Sequence, residues 1–132
     1  RQPAHCTAVG KAILAYNQDA EVDLTTRKTK YSIANRAQLA TELAKVRAHG
    51  VAFEREESVP GFGCVAAPIG RQGEAVAAVS VCGPMNRMAF EQLTAPVRMT
   101  AMGIWRNAED SRVAPTLQPM RPLRMGPALQ YA

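Results

Sequence analysis

Three cysteines, two histidines and one glutamate cluster are the residues of this chain best suited to chemistry. Cys6, Cys64 and Cys82 form no CxxC pair. An odd count without close spacing argues against a disulfide framework and against a structural zinc site. It suits a reducing compartment, hence the cytoplasm. A reactive thiol needs a depressed pKa and access; Cys64 and Cys82 lie in apolar runs with no cation nearby in sequence. His5 has no identifiable orienting carboxylate, so a Cys–His hydrolase is weakly supported, and a structural hydrogen bond suits it better. His49 falls near a helix end, where it can meet the last carbonyls. Gly10-Lys11 is no phosphate loop, because the upstream glycine and the following Ser or Thr are missing. Glu54, Glu56 and Glu57 around Arg55 read as a solvated strand edge. Arg27, Lys28 and Lys30 read as a solvated loop, and Met99 and Met102 as core filler. Ser80 and Cys82 share one strand face by the two-residue period.

Those residues need a scaffold. The chain has 132 residues, 47% of them apolar and only 5% aromatic, enough for one small-grained core. Its charge is +5. Residues 1–97 carry 11 basic and 9 acidic side chains, and residues 98–132 carry 5 and 2. The basic excess therefore sits mostly in the C-terminal stretch. No apolar run is long enough for a transmembrane helix. The start RQPAHCTAVGK has neither an initiator Met nor a signal-peptide pattern, which suggests a piece of something longer.

Ala8, Val9, Ala12, Ile13 and Tyr16 recur at helical spacing, predicting a helix over Thr7–Tyr16 with Thr7 as its N-cap. A short helical turn fits Ala20–Leu24. A second helix is expected over Arg36–His49, with Asn35 as cap, a Leu39, Leu43, Val46 stripe, and Gly50 at its end. Val51–Glu57, Gly63–Ile69 and Ala75–Cys82 read as strands. Gly70–Gly73 would form the hairpin turn between the last two, and Gly83-Pro84 would end the third. Both faces of that hairpin look buried, which predicts a central place in the sheet, under helices. A last helix is expected over Thr94–Trp105, with Pro96 in its first turn. Residues 108–132 read as a proline-rich irregular tail.

The order and spacing of four segments then become specific: Pro3-Ala4-His5-Cys6-Thr7-Ala8-Val9-Gly10-Lys11-Ala12, Gly50 to Glu57, Pro60 to Ile69, and Ala77 to Pro84. Together they resemble the C-terminal effector-binding domain of IclR-type bacterial transcriptional regulators, over about residues 1–106. The resemblance implies an α+β fold: a GAF-like antiparallel sheet flanked by helices, here an incomplete sheet. It divides the chain into an effector-binding domain over 1–107 and the tail 108–132. It implies a small-molecule effector, often an organic or aromatic acid, and no cofactor or metal. It also implies a homodimer or tetramer, while the cysteine usage and the lack of a long apolar run point to the cytoplasm, away from membranes. DNA would be bound only through an N-terminal winged helix-turn-helix domain absent from this chain. The strands that normally precede the Pro3–Lys11 segment are absent as well.

By the same resemblance, the ligand site would be lined by Thr7, Ala8, Val9, Glu54, Cys64, Ser80 and Cys82. The first three stand at a helix start, where free backbone N–H groups attract an anion, and Gly10 would permit close backbone approach. Relatives commonly carry a hydroxyl where Cys82 stands, and a thiol donates more weakly. Glu54 would have to be protonated, bind a ligand hydroxyl or face away. The competing readings are a GAF-like thiol redox enzyme or sensor using Cys64 and Cys82, and a non-functional remnant of a regulator.

Overall fold

A computed structural model describes residues 2–111 of the chain. A single 3-10 turn, Ala4–Cys6, leads into helix α1 (Ala8–Leu14). Thr7 is its N-cap: the hydroxyl accepts the Gly10 N–H at 3.0 Å. The helix ends two residues earlier than its apolar spacing suggests. Residues 17–34 follow as an irregular arm, and Ala20–Leu24 holds no helical turn. The arm is held by hydrogen bonds rather than by secondary structure. The His5 ring bonds the Thr26 carbonyl at 3.1 Å, and Ser32 and Thr29 hydroxyls donate to the Glu57 and Glu56 carbonyls. His5 thus has the structural role expected of it.

Helix α2 (Arg36–His49) has the predicted bounds. The Asn35 side chain accepts the Gln38 N–H at 2.8 Å, and Gln38 reaches back to the Ala34 N–H. Gly50 closes the helix with φ 73°, a conformation that costs glycine little. Leu39 and Val46 are buried, while Arg47 donates to the Ala15 carbonyl and ties α2 to the end of α1. His49 bonds the Lys45 carbonyl at 2.9 Å, as a histidine in the last turn should.

The sheet has three antiparallel strands in the order β1 (Ala52–Arg55), β2 (Phe62–Ile69), β3 (Ala77–Pro84). β1 is shorter than the predicted strand: past Arg55 the chain turns at Glu56, φ 55°, whose N–H still bonds the Phe62 carbonyl at 2.8 Å. β2 is central and buried on both faces. β3 is not: among the described residues it is an edge strand, and Val76 and Val81 are exposed. The connection is also longer than a four-residue turn. Val76 N–H bonds the Ile69 carbonyl, and β3 starts at Ala77 and runs through Gly83-Pro84 rather than stopping before them.

The two sheet faces differ in grain. Ala52 and Ala66 meet Ala8, Ala12, Ala15 and Val46 of α1 and α2 on one side. Val51, Val65, Ala67 and Ile69 meet Val97 and Ala101 of α3 (Phe90–Asp110) on the other, with Phe53 and Phe90 edge to face at 6.0 Å. The Arg55 guanidinium caps both rings, 5.0 and 4.2 Å from their centroids.

Helix α3 begins four residues before the predicted start, so Pro96 lies inside it rather than in its first turn. Pro96 lacks an N–H and sits on the exposed side. Packing of Val97 and Ala101 on the sheet carries the helix past it. Met99 and Met102 are exposed, not core, at 71% and 51%. The helix continues to Asp110, so the first residues assigned to the tail are helical; residues 112–132 lie outside the described residues. No helix among the described residues is long and apolar enough to cross a membrane.

One ion pair fixes α1 to the sheet. Lys11 is 1% exposed, on the same face as Ala8, Ala12 and Ala15, and its ammonium meets Glu57 Oε1 at 2.6 Å. The glutamate cluster is therefore not a solvated edge: Glu57 is largely covered and Glu54 is buried. Burial pushes the Glu57 carboxyl above its ordinary range, and the Lys11 charge opposes that rise.

Breaking a buried pair leaves an uncompensated charge. Lys11→Met should therefore cost about 3–5 kcal/mol in denaturant unfolding. Adding Glu57→Gln should restore most of that loss; no recovery would show that the cost is packing alone. The loss should also depend on pH. Without Lys11 the folded-state pKa of Glu57 rises further, so the folded form keeps a proton that the unfolded chain releases. The variant's deficit should be least below the ordinary value of 4.5 and grow as pH rises through the raised pKa. A deficit that is flat with pH would show that Glu57 carries no such strain.

Candidate functional site

The predicted site residues come from three places, and backbone parity decides which can meet. Glu54 on β1 pairs with Cys64 on β2, and Cys64 pairs with Cys82 on β3. These three form one row across the sheet. Ser80 pairs with Ala66, one step along the same face. Cys64 and Ala78 pack against the alanine cluster of α1 and α2, so this face is the one beneath α1. Val9 joins the same cluster and Ala8 is buried in it. The fold thus gathers Val9, Cys64, Ser80 and Cys82 on one side of the sheet, below the start of α1.

Thr7 is already employed. Its hydroxyl caps the Gly10 N–H, and it lies 3.5 Å from the Ala4 carbonyl oxygen. Gly10 does allow a close backbone approach, but by the chain itself. A β-carbon there would overlap the Ala4 backbone. Glu54 is employed too: its Oε1 accepts the N–H groups of Glu57 at 2.6 Å and Ser58 at 3.1 Å. It organises the bend after β1 and thereby places Glu57 opposite Lys11. Two buried atoms, His5 Nδ1 and Glu57 Oε2, have no hydrogen-bond partner among the described residues.

The cysteines depart from expectation. Cys64 and Cys82 are joined by a disulfide, their Cα atoms 4.1 Å apart, while Cys6 is buried and free. The odd cysteine count argued against this; two of the three pair because the strand register sets them face to face. Ser80 Oγ lies 3.9 Å from Cys82 Sγ. Cys82 is exposed and Ser80 half-buried, since no strand covers the outer side of β3 among the described residues. The row is closed by α1 at its β2 end and open at β3.

Two features escaped sequence reasoning. Lys11 stands three residues after Ala8 and four before Ala15, within their apolar stripe, a visible signal that it is buried. The other is a groove of about 690 Å³ at the far end of the sheet, between the end of α2, the β2–β3 connection and α3. Arg47, Arg71, Arg98, Arg106 and Trp105 line it, with Glu74 and Glu109. Arg71 meets Glu109 at 3.6 Å, which leaves the groove an excess of guanidinium charge. Arg98, Trp105, Arg106 and Glu109 fall on one helical face of α3, but their neighbours come from distant segments.

Comparison with known proteins places this geometry. The model of the family "Bacterial transcriptional regulator IclR C-terminal" matches residues 1–106. The HTH-type transcriptional regulator BhcR of Paracoccus denitrificans is 36% identical over 102 residues, 72% of this chain and 37% of BhcR. The chain spans less than half the length of such curated relatives. Among solved structures, the C-terminal domain of the Escherichia coli regulator KdgR aligns with a TM-score of 0.69 and 30% identity, over 79% of this chain and 70% of that one. The PobR inducer-binding domain from Acinetobacter, a double mutant in complex with 3-hydroxybenzoic acid, aligns with a TM-score of 0.68 and 26% identity, over 80% of this chain and 66% of that one. On the family match and on its α+β fold, with a three-stranded antiparallel sheet between helices, this chain belongs to the C-terminal domain family of IclR-type bacterial transcriptional regulators.

Proposed function

We propose that the chain is the effector-binding and oligomerisation domain of a cytoplasmic transcriptional regulator, taking an organic or aromatic acid. The observation that carries this is the polar row beneath α1. Val9, Cys64, Ser80 and Cys82 share one sheet face with Ala52, Ala66, Ala78 and the buried Glu54, which leaves small side chains around the Ser80 hydroxyl. That is the composition of a small-molecule site, apolar walls with few polar anchors. Ser80 is the anchor that can donate; its hydroxyl lies 3.9 Å from Cys82 Sγ, a weak acceptor that a ligand oxygen would replace. Ala8 and Val9 supply the apolar wall. Glu54 and Thr7 hold the walls in place rather than touch the ligand.

The relatives are regulators, and one of them was solved as an inducer-binding domain with 3-hydroxybenzoic acid. The role proposed for this chain is non-catalytic. An effector that binds one arrangement of the domain better than another shifts the population by that difference in affinity. The shift would reach DNA through a homodimer or tetramer and a winged helix-turn-helix domain on the N-terminal side of this chain. The effector-binding unit would span residues 1–107, with the proline-rich tail after it. Strands preceding Pro3 in the full protein would close the row at β3.

The arginine groove offers a second place for an acid, since Trp105 and the Arg98 and Arg106 guanidinium groups, in no ion pair among the described residues, can hold an aromatic carboxylate. Variants separate the two. A panel of acids that includes 3-hydroxybenzoate should contain a compound that raises the thermal midpoint of the chain. At a hundred times its Kd the gain is about 2.7 kcal/mol. Ser80→Val should abolish that rise, and Arg98→Ala with Arg106→Ala should leave it intact. The reverse pattern would move the site to the groove. If no acid shifts a cooperative transition, the acid-effector reading is wrong.

A further inference from the structure

Two observations meet on the polar row. Cys64 and Cys82 are directly opposed in the β2–β3 ladder and bonded, and the two residues differ in exposure: Cys82 is exposed and Cys64 partly buried. We propose that this pair is a reversible redox site, which exchanges with small thiols through Cys82 and sets the hydrogen-bonding character of the face beneath α1. The inference rests on the proposed function, both for the effector face and for a cytoplasmic setting.

Disulfides in a reducing cytoplasm are transient, and serve catalysis or redox sensing. The fold lets this one open and close without backbone rearrangement. The ladder runs from Phe62↔Pro84 to Ile69↔Ala77, so paired residues flank the cysteines on both sides. Exchange needs an accessible sulfur and a departing thiolate. An incoming thiolate attacks Cys82 Sγ, the Cys64–Cys82 bond breaks, and Cys64 leaves as the thiolate. A second thiolate then attacks the outer sulfur of the mixed disulfide on Cys82. The protein gains two electrons, two small thiols become one small disulfide, and their protons pass to Cys64 and Cys82. Oxidised glutathione or its like drives the reverse.

The two states offer a ligand different groups. A disulfide has no donor, whereas two thiols supply two weak S–H donors beside Ser80. The reduced form should therefore hold a carboxylate better. By linkage, a bound acid should oppose oxidation to the same extent.

The test is thiol counting on the whole native chain, equilibrated with glutathione of varied ratio and labelled with maleimide before mass measurement. Oxidising buffer should leave no reactive thiol, since Cys6 is buried. Reducing buffer should expose Cys64 and Cys82, and the change should reverse. In Cys64→Ser, Cys82 should retain one glutathione as a mixed disulfide. In Cys82→Ser, Cys64 should retain several-fold less. Two free thiols in oxidised glutathione would overturn the pair, and equal trapping in the two variants would overturn the route through Cys82. In a parallel arm, 3-hydroxybenzoate should raise the midpoint of the reduced chain more than that of the oxidised chain. Equal, non-zero shifts would overturn the coupling. Because thiol counts decide the redox site alone, a chain that cycles its thiols but answers to no acid would support that site and sink the effector assignment.

Discussion

The Lys11–Glu57 pair is the contact around which the site is built. A buried ammonium and carboxylate are costly to desolvate, and their attraction repays that only when geometry and hydrogen bonds are good. Here the geometry is assembled from several sides. Glu54 accepts two backbone N–H groups of the bend, and Ser32 and Thr29 donate to its carbonyls. Glu57 is thereby held where Lys11 can reach it. The pair joins α1 to the bend after β1, across 46 residues of sequence, so the start of α1 cannot slide along the sheet. Everything beneath α1, the polar row included, inherits its place from that anchor.

The second constraint is side-chain size. Ala8, Ala12 and Ala15 face Ala52 and Ala66, so α1 lies close to the sheet. Small residues leave little dispersion and hydrophobic gain on this side. Valine, isoleucine and phenylalanine give the α3 side larger apolar side chains. The division suits the proposed role: the face with larger side chains holds the fold, and the small-grained face is the one assigned to a ligand.

Much of this was legible in the sequence. The stripe of α2 with Asn35 and Gly50 fixed that helix at both ends. The two-residue period put Ser80 and Cys82 on one face. What the residues could not show was strand register. A β3 starting at Ala75 opposite Ile69 would set Cys64 across from Ser80. The observed pairing of Ile69 with Ala77 sets it across from Cys82 instead. Two residues of loop therefore decide whether the chain has a disulfide. Pro96 misled for a related reason: local rules place proline at a helix start, but tertiary packing of Val97 and Ala101 outweighs one missing hydrogen bond. The glutamate cluster read as solvated because its partner, Lys11, is remote in sequence.

The edge position of β3 links these points. β2 is sealed by a strand on each side and a helix layer on each face, so Cys64 is held in nearly fixed surroundings. β3 is sealed on one side only among the described residues, and Cys82 and Ser80 stand at the margin of the structure. A row with one fixed end and one open end is suited to transmitting a signal. In the proposed reading, a ligand seated against Val9 and Cys64 would make its remaining contacts at Ser80 and Cys82, on an edge strand. Under that proposal, the quantity an effector can exploit is its differential affinity for two arrangements of the domain.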